Sequence, residues 1–293
     1  MTSKPMKREL RNNLVGWSFL SIWAIGFILF MAYPLVLSFY YSLSRVTLSG
    51  EGILVDFIWF ENYRQIFSSA AGFSFLQSVR DFAFEILFKV PIITVFAIII
   101  AVLLNQKMKL RGLFRAVYFL PVIIASGPVI NQLISQGAAT IPLVEESGLI
   151  DIINSTFTES LARPIANVFS ELIVILWFSG VQILLFIAAL QKIDRSTYEA
   201  AMIDGAGPWE SFWKITMPAL KSMVTVSIIF TIINLATFSE NEAILHIKNN
   251  MFALDTGFGF SSAVAWIYFV ALALILGVAM LIIKLFTKDK VRR

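Results

Sequence analysis

Long apolar runs alternate with short polar stretches along almost the whole chain. Six runs come near or exceed the roughly 20 residues that a helix needs to cross the hydrocarbon core of a bilayer. They cover 15–42, 82–104, 113–134, 164–190, 223–238 and 262–286. The first contains Tyr33-Pro34, and the second carries Glu85, Lys89 and Pro91 in its first half. In the third, Pro121 and Pro128 predict kinks, because proline removes a backbone donor and its ring crowds the carbonyl four residues back. The pattern predicts an all-α membrane protein of six transmembrane helices, forming a single membrane domain over residues 1–293. The intervening stretches are too short for a sizeable extra domain, and no low-complexity linker or internal repeat is evident.

Composition agrees. Hydrophobic residues make up 58% of the chain and charged residues 14%, against about 45–50% and about 25% for soluble domains. The absence of cysteine removes disulfides, thiolate catalysis and Cys-based metal sites. The charges also set an orientation. With six alternating spans and a cytoplasmic N-terminus, the inside segments hold four basic clusters. These are Lys4, Lys7, Arg8 and Arg11; Lys107, Lys109, Arg111 and Arg115; Lys192, Arg195, Lys214 and Lys221; and Lys284, Lys288, Lys290, Arg292 and Arg293. Seventeen of the 23 Lys and Arg residues thus fall inside, so the positive-inside rule predicts that both termini are cytoplasmic. The first apolar run is too long for a signal peptide and lacks a small-x-small cleavage site, which makes it an uncleaved anchor.

This topology puts residues 191–222 in the cytoplasm, between the fourth and fifth spans. Glu199, Ala200, Ala201 and Met202 favour a helix, with Ser196 or Thr197 available as its cap. Gly205 and Gly207 interrupt it, and Pro208 suits the first turn of a second helix. Trp209, Phe212, Trp213 and Met217 then recur at helical spacing on one face, and Pro218 separates this piece from the fifth span. The residues alone leave two readings. One is an interfacial hairpin with its aromatic side chains among the inner headgroups. The other is a docking element whose small alanines admit a cytoplasmic partner.

The run Glu199-Ala200-Ala201, then Asp204-Gly205-Ala206, then Ile215, Pro218 and Leu220, resembles the EAA loop of binding-protein-dependent ABC importer permeases. The pattern EAA-x-x-DGA with a downstream I-x-x-P-x-L is long and specific. The likeness covers the six-span layout, extends upstream through FIAALQKID (186–194) and reaches FGFSSAVAWIYFVALAL (258–274). It is nearest to the sugar-importer branch, the maltose- and glycerol-phosphate-type permeases. One departure lies in the outer segment 246–257, HIKNNMFALDTG, where family members often carry Gly-Gly-Pro.

The resemblance implies a type I ABC importer permease fold in a bacterial or archaeal cytoplasmic membrane. It also implies a second, related permease, two cytoplasmic ATPase subunits that bind ATP and Mg, and an extracytoplasmic solute-binding protein. The helix around 199–206 would sit in a groove of the ATPase and carry its movement to the spans. Glu199 would make the polar contact, and Ala200, Ala201 and Ala206 would allow close packing. Asp204 would cap the local turn, Gly205 would supply conformational freedom, and Pro218 belongs to the same motif. The implied solute is a sugar or oligosaccharide; another polar solute, such as a glycerol phosphodiester, is the alternative within transport. An ion-driven secondary transporter is the alternative from another class, but it usually needs more spans or inverted repeats.

Polar groups inside spans are expensive and mark either pathways or helix contacts. Gln182 and Asn234 are neutral and suited to sugar hydroxyls, and Trp177 offers a ring for stacking. Phe238, Glu240 and Asn241 close the fifth span on its outer side and join them as pathway candidates. Glu85 and Lys89, four residues apart, can neutralise each other. The single histidine, His246, has no metal-ligand spacing around it. No GxxxxGK[ST] loop occurs, so the chain is expected to hold no ATP or other cofactor, and no catalytic constellation is expected.

Overall fold

The computed structural model describes residues 5–49, 52–106, 112, 152, 155–156, 172–253 and 256–288. The expected third span, the outer segment 135–163 and the first part of the fourth span lie outside these residues. The described chain is mostly helical. Helix α1 (Pro5–Phe27) passes through a π-helical turn (Ile28–Ala32) into α2 (Tyr33–Ser42). A hairpin of β1 (Ser44–Ser49) and β2 (Gly52–Phe57) follows, then α3 (Glu61–Ile66) and the long α4 (Ala70–Asn105). Helix α5 (Leu172–Leu190) leads to α6 (Arg195–Ile203) and α7 (Pro208–Ser211). A second π-helical turn (Phe212–Thr216) opens into α8 (Met217–Ala236), followed by α9 (Glu242–Met251) and α10 (Gly257–Lys288).

Four of these stretches are long and apolar enough to cross a membrane: Val15–Ser42, Ala70–Asn105, Pro208–Ala236 and Gly257–Leu285. They correspond to the first, second, fifth and sixth apolar runs of the sequence. The fourth run contributes α5, which bends by 67° into α6.

The two π turns share a setting before a proline, whereas Pro91 sits in regular α-helix within α4. The N–H of Tyr33 bonds the carbonyl of Ile28, and the N–H of Met217 bonds the carbonyl of Phe212. Each bond reaches five residues back rather than four, and each donor directly precedes a proline, Pro34 or Pro218. An α-helical proline would press its ring against the carbonyl four residues upstream and leave that carbonyl without a donor. One widened turn relieves the crowding while the chain stays helical. Pro218 therefore does not separate a short helix from the fifth span, as the sequence suggested. It occupies the first turn of α8, and residues 208–236 form one 29-residue helix.

The chain divides into two compact units, Met1–Ser78 with Leu245–Val270 and Val79–Ile244 with Ala271–Arg293. In the first, the hairpin departs from an all-α fold. Along β1, Ser44 and Val46 are buried while Arg45 and Thr47 are exposed, the period-2 pattern of a half-covered strand. Arg45 stands directly opposite Asp56 in the antiparallel register, a favourable cross-strand pair. The buried Asn62 donates from Nδ2 to the carbonyls of Ser42 and Ser44, 2.9 Å each. It thereby satisfies backbone groups where α2 gives way to the strand. A Cβ on Gly259 would run into the Ser44 carbonyl oxygen, so glycine is required where α10 passes this strand.

In the second unit, Ala97, Ile98, Ala101 and Leu104 of α4 pack with Ile183, Phe186, Ile187 and Leu190 of α5 and with Leu220 of α8. The cluster lies where α5 ends and α8 begins, so it anchors both ends of the loop 191–222. Along α4, Lys89 forms an ion pair with Glu85 one turn back, as their spacing predicts.

Candidate functional site

Helix α6 has defined ends. Asp194 is its N-cap, with an extended ψ of 134° and a carboxylate that accepts the Ser196 N–H at 3.1 Å. The cap is thus one of the preferred short polar residues, but it stands two or three positions earlier than Ser196 or Thr197. At the other end, Gly205 adopts φ +82°. Its N–H bonds the Met202 carbonyl at 3.1 Å, and the Ala206 N–H bonds the Ala201 carbonyl at 2.9 Å. This pair of bonds is a Schellman stop, which satisfies orphan carbonyls through a left-handed residue. Gly205 is therefore a fixed punctuation mark in this structure, and Asp204 is the C-cap residue before it. Gly207 caps the next helix and Pro208 stands in its first turn.

The docking candidates thus lie on one short rod and its stop. Glu199, Ala200, Asp204 and Gly205 are exposed, and Ala201 and Ala206 are half-buried. Met202 and Ile203 are also open, Ile203 at 87%, although the sequence marked neither as a docking residue. Glu199 is held by Arg195 at 3.2 Å, an exposed pair one turn apart. On the inner side, the Tyr198 hydroxyl meets Thr216 Oγ1 at 2.8 Å. Beneath the loop lies a pocket of about 400 Å³, lined by residues that include Val102, Asn105, Leu190, Tyr198, Met202 and Phe212. Trp209, Phe212 and Trp213 pack edge to face or stacked on one another.

The pathway candidates separate. Gln182 is fully buried, and its Nε2 donates 2.8 Å to Thr231 Oγ1, which donates 2.7 Å to the Ser227 carbonyl. This bond joins α5 to α8. Among the described residues, Gln182 Oε1 and Ser227 Oγ are buried without a partner. Phe238 meets Phe178 edge to face at 5.2 Å. Trp177, Asn234 and Glu240 are half-buried. Asn241 caps α9: its Oδ1 accepts the Ala243 N–H at 2.9 Å and its Nδ2 reaches the Leu235 carbonyl. His246 pairs with Ser74 at 3.0 Å. Among the described residues no group of three His, Asp or Glu side chains could hold a metal. Thr231 was missed, although a hydroxyl three residues before Asn234 in an apolar run carried the same signal. Tyr198 and Thr216 gave no comparable signal.

No family model matches the chain. It is 32% identical to the lactose transport system permease protein LacF of Rhizobium radiobacter, over 77% of this chain and 74% of the relative. The chain belongs to the ABC transporter permeases. It is also 27% identical to the multiple sugar-binding transport system permease protein MsmF of Streptococcus mutans, across 97% of this permease and 99% of that one. The fold is similar to a chain in the crystal structure of a bacterial alginate ABC transporter in complex with alginate pentasaccharide-bound periplasmic protein. That similarity has a TM-score of 0.56 at 16% identity, over 96% of this permease and 98% of that chain. A multi-pass membrane permease accounts for both the apolar helices and the exposed polar rod between two of them.

Proposed function

We propose that this permease forms, with a second related subunit, the membrane pathway of an ATP-driven importer for a sugar or oligosaccharide. The observation that carries the proposal is the exposed helix Arg195–Ile203, capped at both ends and set between two membrane helices of an ABC permease. Six spans and cytoplasmic termini follow from the apolar runs and the basic clusters. The membrane is then the cytoplasmic membrane of a bacterium or archaeon. In this arrangement the loop 191–222 faces two ATPase subunits, which bind the ATP and Mg; the permease itself is non-catalytic. Glu199, Ala200, Ala201, Asp204, Gly205 and Ala206 form the seat in the ATPase groove. Pro218 and the helix it begins receive the movement.

The sugar assignment draws on the relatives' names, lactose and multiple sugars, and on the alginate importer. Neutral amides and rings in Gln182, Asn234, Trp177 and Phe238 suit hydroxylated rings, with Glu240 and Asn241 at the outer end. Delivery by an extracytoplasmic binding protein draws on the periplasmic protein complex of the solved relative. The test is a reconstituted complex with its cognate binding protein. ATP hydrolysis should rise with a di- or oligosaccharide and not with a glycerol phosphodiester. Glu199→Ala and Gly205→Asp should weaken ATPase association. Retained association in both variants would overturn docking, and uptake that followed only a proton or sodium gradient would overturn the ATP-driven reading.

A further inference from the structure

The bond between Tyr198 and Thr216 joins positions 18 apart in sequence. Tyr198 is half-buried and immediately precedes the exposed Glu199. Thr216 is buried and ends the π turn Phe212–Thr216. Four residues further, Leu220 is fully buried in the cluster formed with α4 and α5. The hydroxyl pair therefore ties the docking rod to the one turn of helix 208–236 that departs from α geometry, just above the point where the helix is locked into the core. π turns interrupt the regular ladder and recur at functional hinges. The same pair lines the pocket of about 400 Å³ under the rod, together with Phe212 of the π turn.

We infer that Tyr198 is a positioning residue that carries movement of the docking helix into the π turn, so that α8 tilts about residues 212–216 when the ATPases close. This rests on the docking role proposed above. The chain has no cysteine, so Val95→Cys on α4 and Val226→Cys on α8, both more than half or about half exposed at 56% and 50%, can carry a spin-label pair. In the full reconstituted complex, MgATP with vanadate should shift the label separation. Tyr198→Phe and Thr216→Val should each reduce the shifted population about fivefold, the scale of one hydrogen bond. ATPase affinity should stay within about twofold of the parent in both. Thr216→Ser, which keeps the hydroxyl, should restore the shift, and the double variant should be no worse than either single one.

An undiminished shift in Tyr198→Phe, additive effects in the double variant, or Thr216→Ser behaving like Thr216→Val would each overturn the inference. So would a Tyr198→Phe complex that fails to assemble, because the hydroxyl would then hold the fold rather than the hinge. Parallel measurements on Glu199→Ala and Gly205→Asp keep the two proposals apart. If those variants retain the ATPases, docking itself fails. If they lose the ATPases while Tyr198→Phe shifts normally, only the role of Tyr198 fails.

Discussion

The two π turns use the same backbone device in different settings. Ile28–Ala32 before Pro34 has no buried residue, and none of the apolar window of its span is buried within this chain. Phe212–Thr216 before Pro218 ends on the buried Thr216, lies next to Met217, which packs against the core cluster, and stands four residues from the fully buried Leu220. Both turns lie just before a proline, Pro34 or Pro218. Tertiary contact distinguishes them: the second is tied to Tyr198 and borders the core cluster, whereas the first has no buried residue within this chain. That contact, and not the proline, is the ground for assigning a hinge to the second.

The largest expected contrast is in packing. Leu220→Ala should cost about 2 kcal/mol or more by opening a cavity in the cluster, whereas Leu29→Ala, in the exposed first turn, should stay within about 0.5 kcal/mol. Thermal unfolding of the detergent-solubilised protein measures both, and equal costs would break the contrast. Next comes the stop upstream of the second π turn. Gly205→Ala should lose about 1 kcal/mol, because an L side chain at φ +82° is strained. The same assay should show no loss for Gly26→Ala, whose added Cβ meets nothing within 4 Å and which replaces glycine inside a helix.

Gln182→Leu should change stability by less than about 1 kcal/mol, because it removes an unpartnered buried oxygen together with the bond to Thr231. If Gln182 also contacts the solute, transport by this variant should fall while ATPase association stays intact. Arg195→Ala should have the smallest effect, under about 0.5 kcal/mol, since its pair with Glu199 is exposed on both sides. A larger loss would mean that the ion pair, rather than the caps, holds α6.

Much of this architecture was legible from single positions. Four of the apolar runs marked helices long and apolar enough to cross a membrane, and the Gly205, Gly207 and Pro208 sequence marked where one short helix ends and the next begins. The hairpin was missed because its two six-residue strands are short and sit between longer apolar signals. Asp194 was missed as a cap because Ser196 and Thr197 are equally suitable residue types. Only the backbone angle at each position decides among them. Gln182 was legible as a costly polar group in a span, but its partner Thr231, 49 residues away, was not.

The sequence by itself determined which segments are apolar enough to enter a bilayer and where the loop between two of them folds into a capped rod. Those outcomes follow from transfer energies and from backbone constraints acting over a few residues. Only the tertiary structure decided which of two similar proline turns borders the buried core and that Tyr198 reaches Thr216. It also decided that Gln182 faces another helix. Each of these depends on elements far apart in sequence being brought within 3 Å, and hydrogen bonds act only at that range.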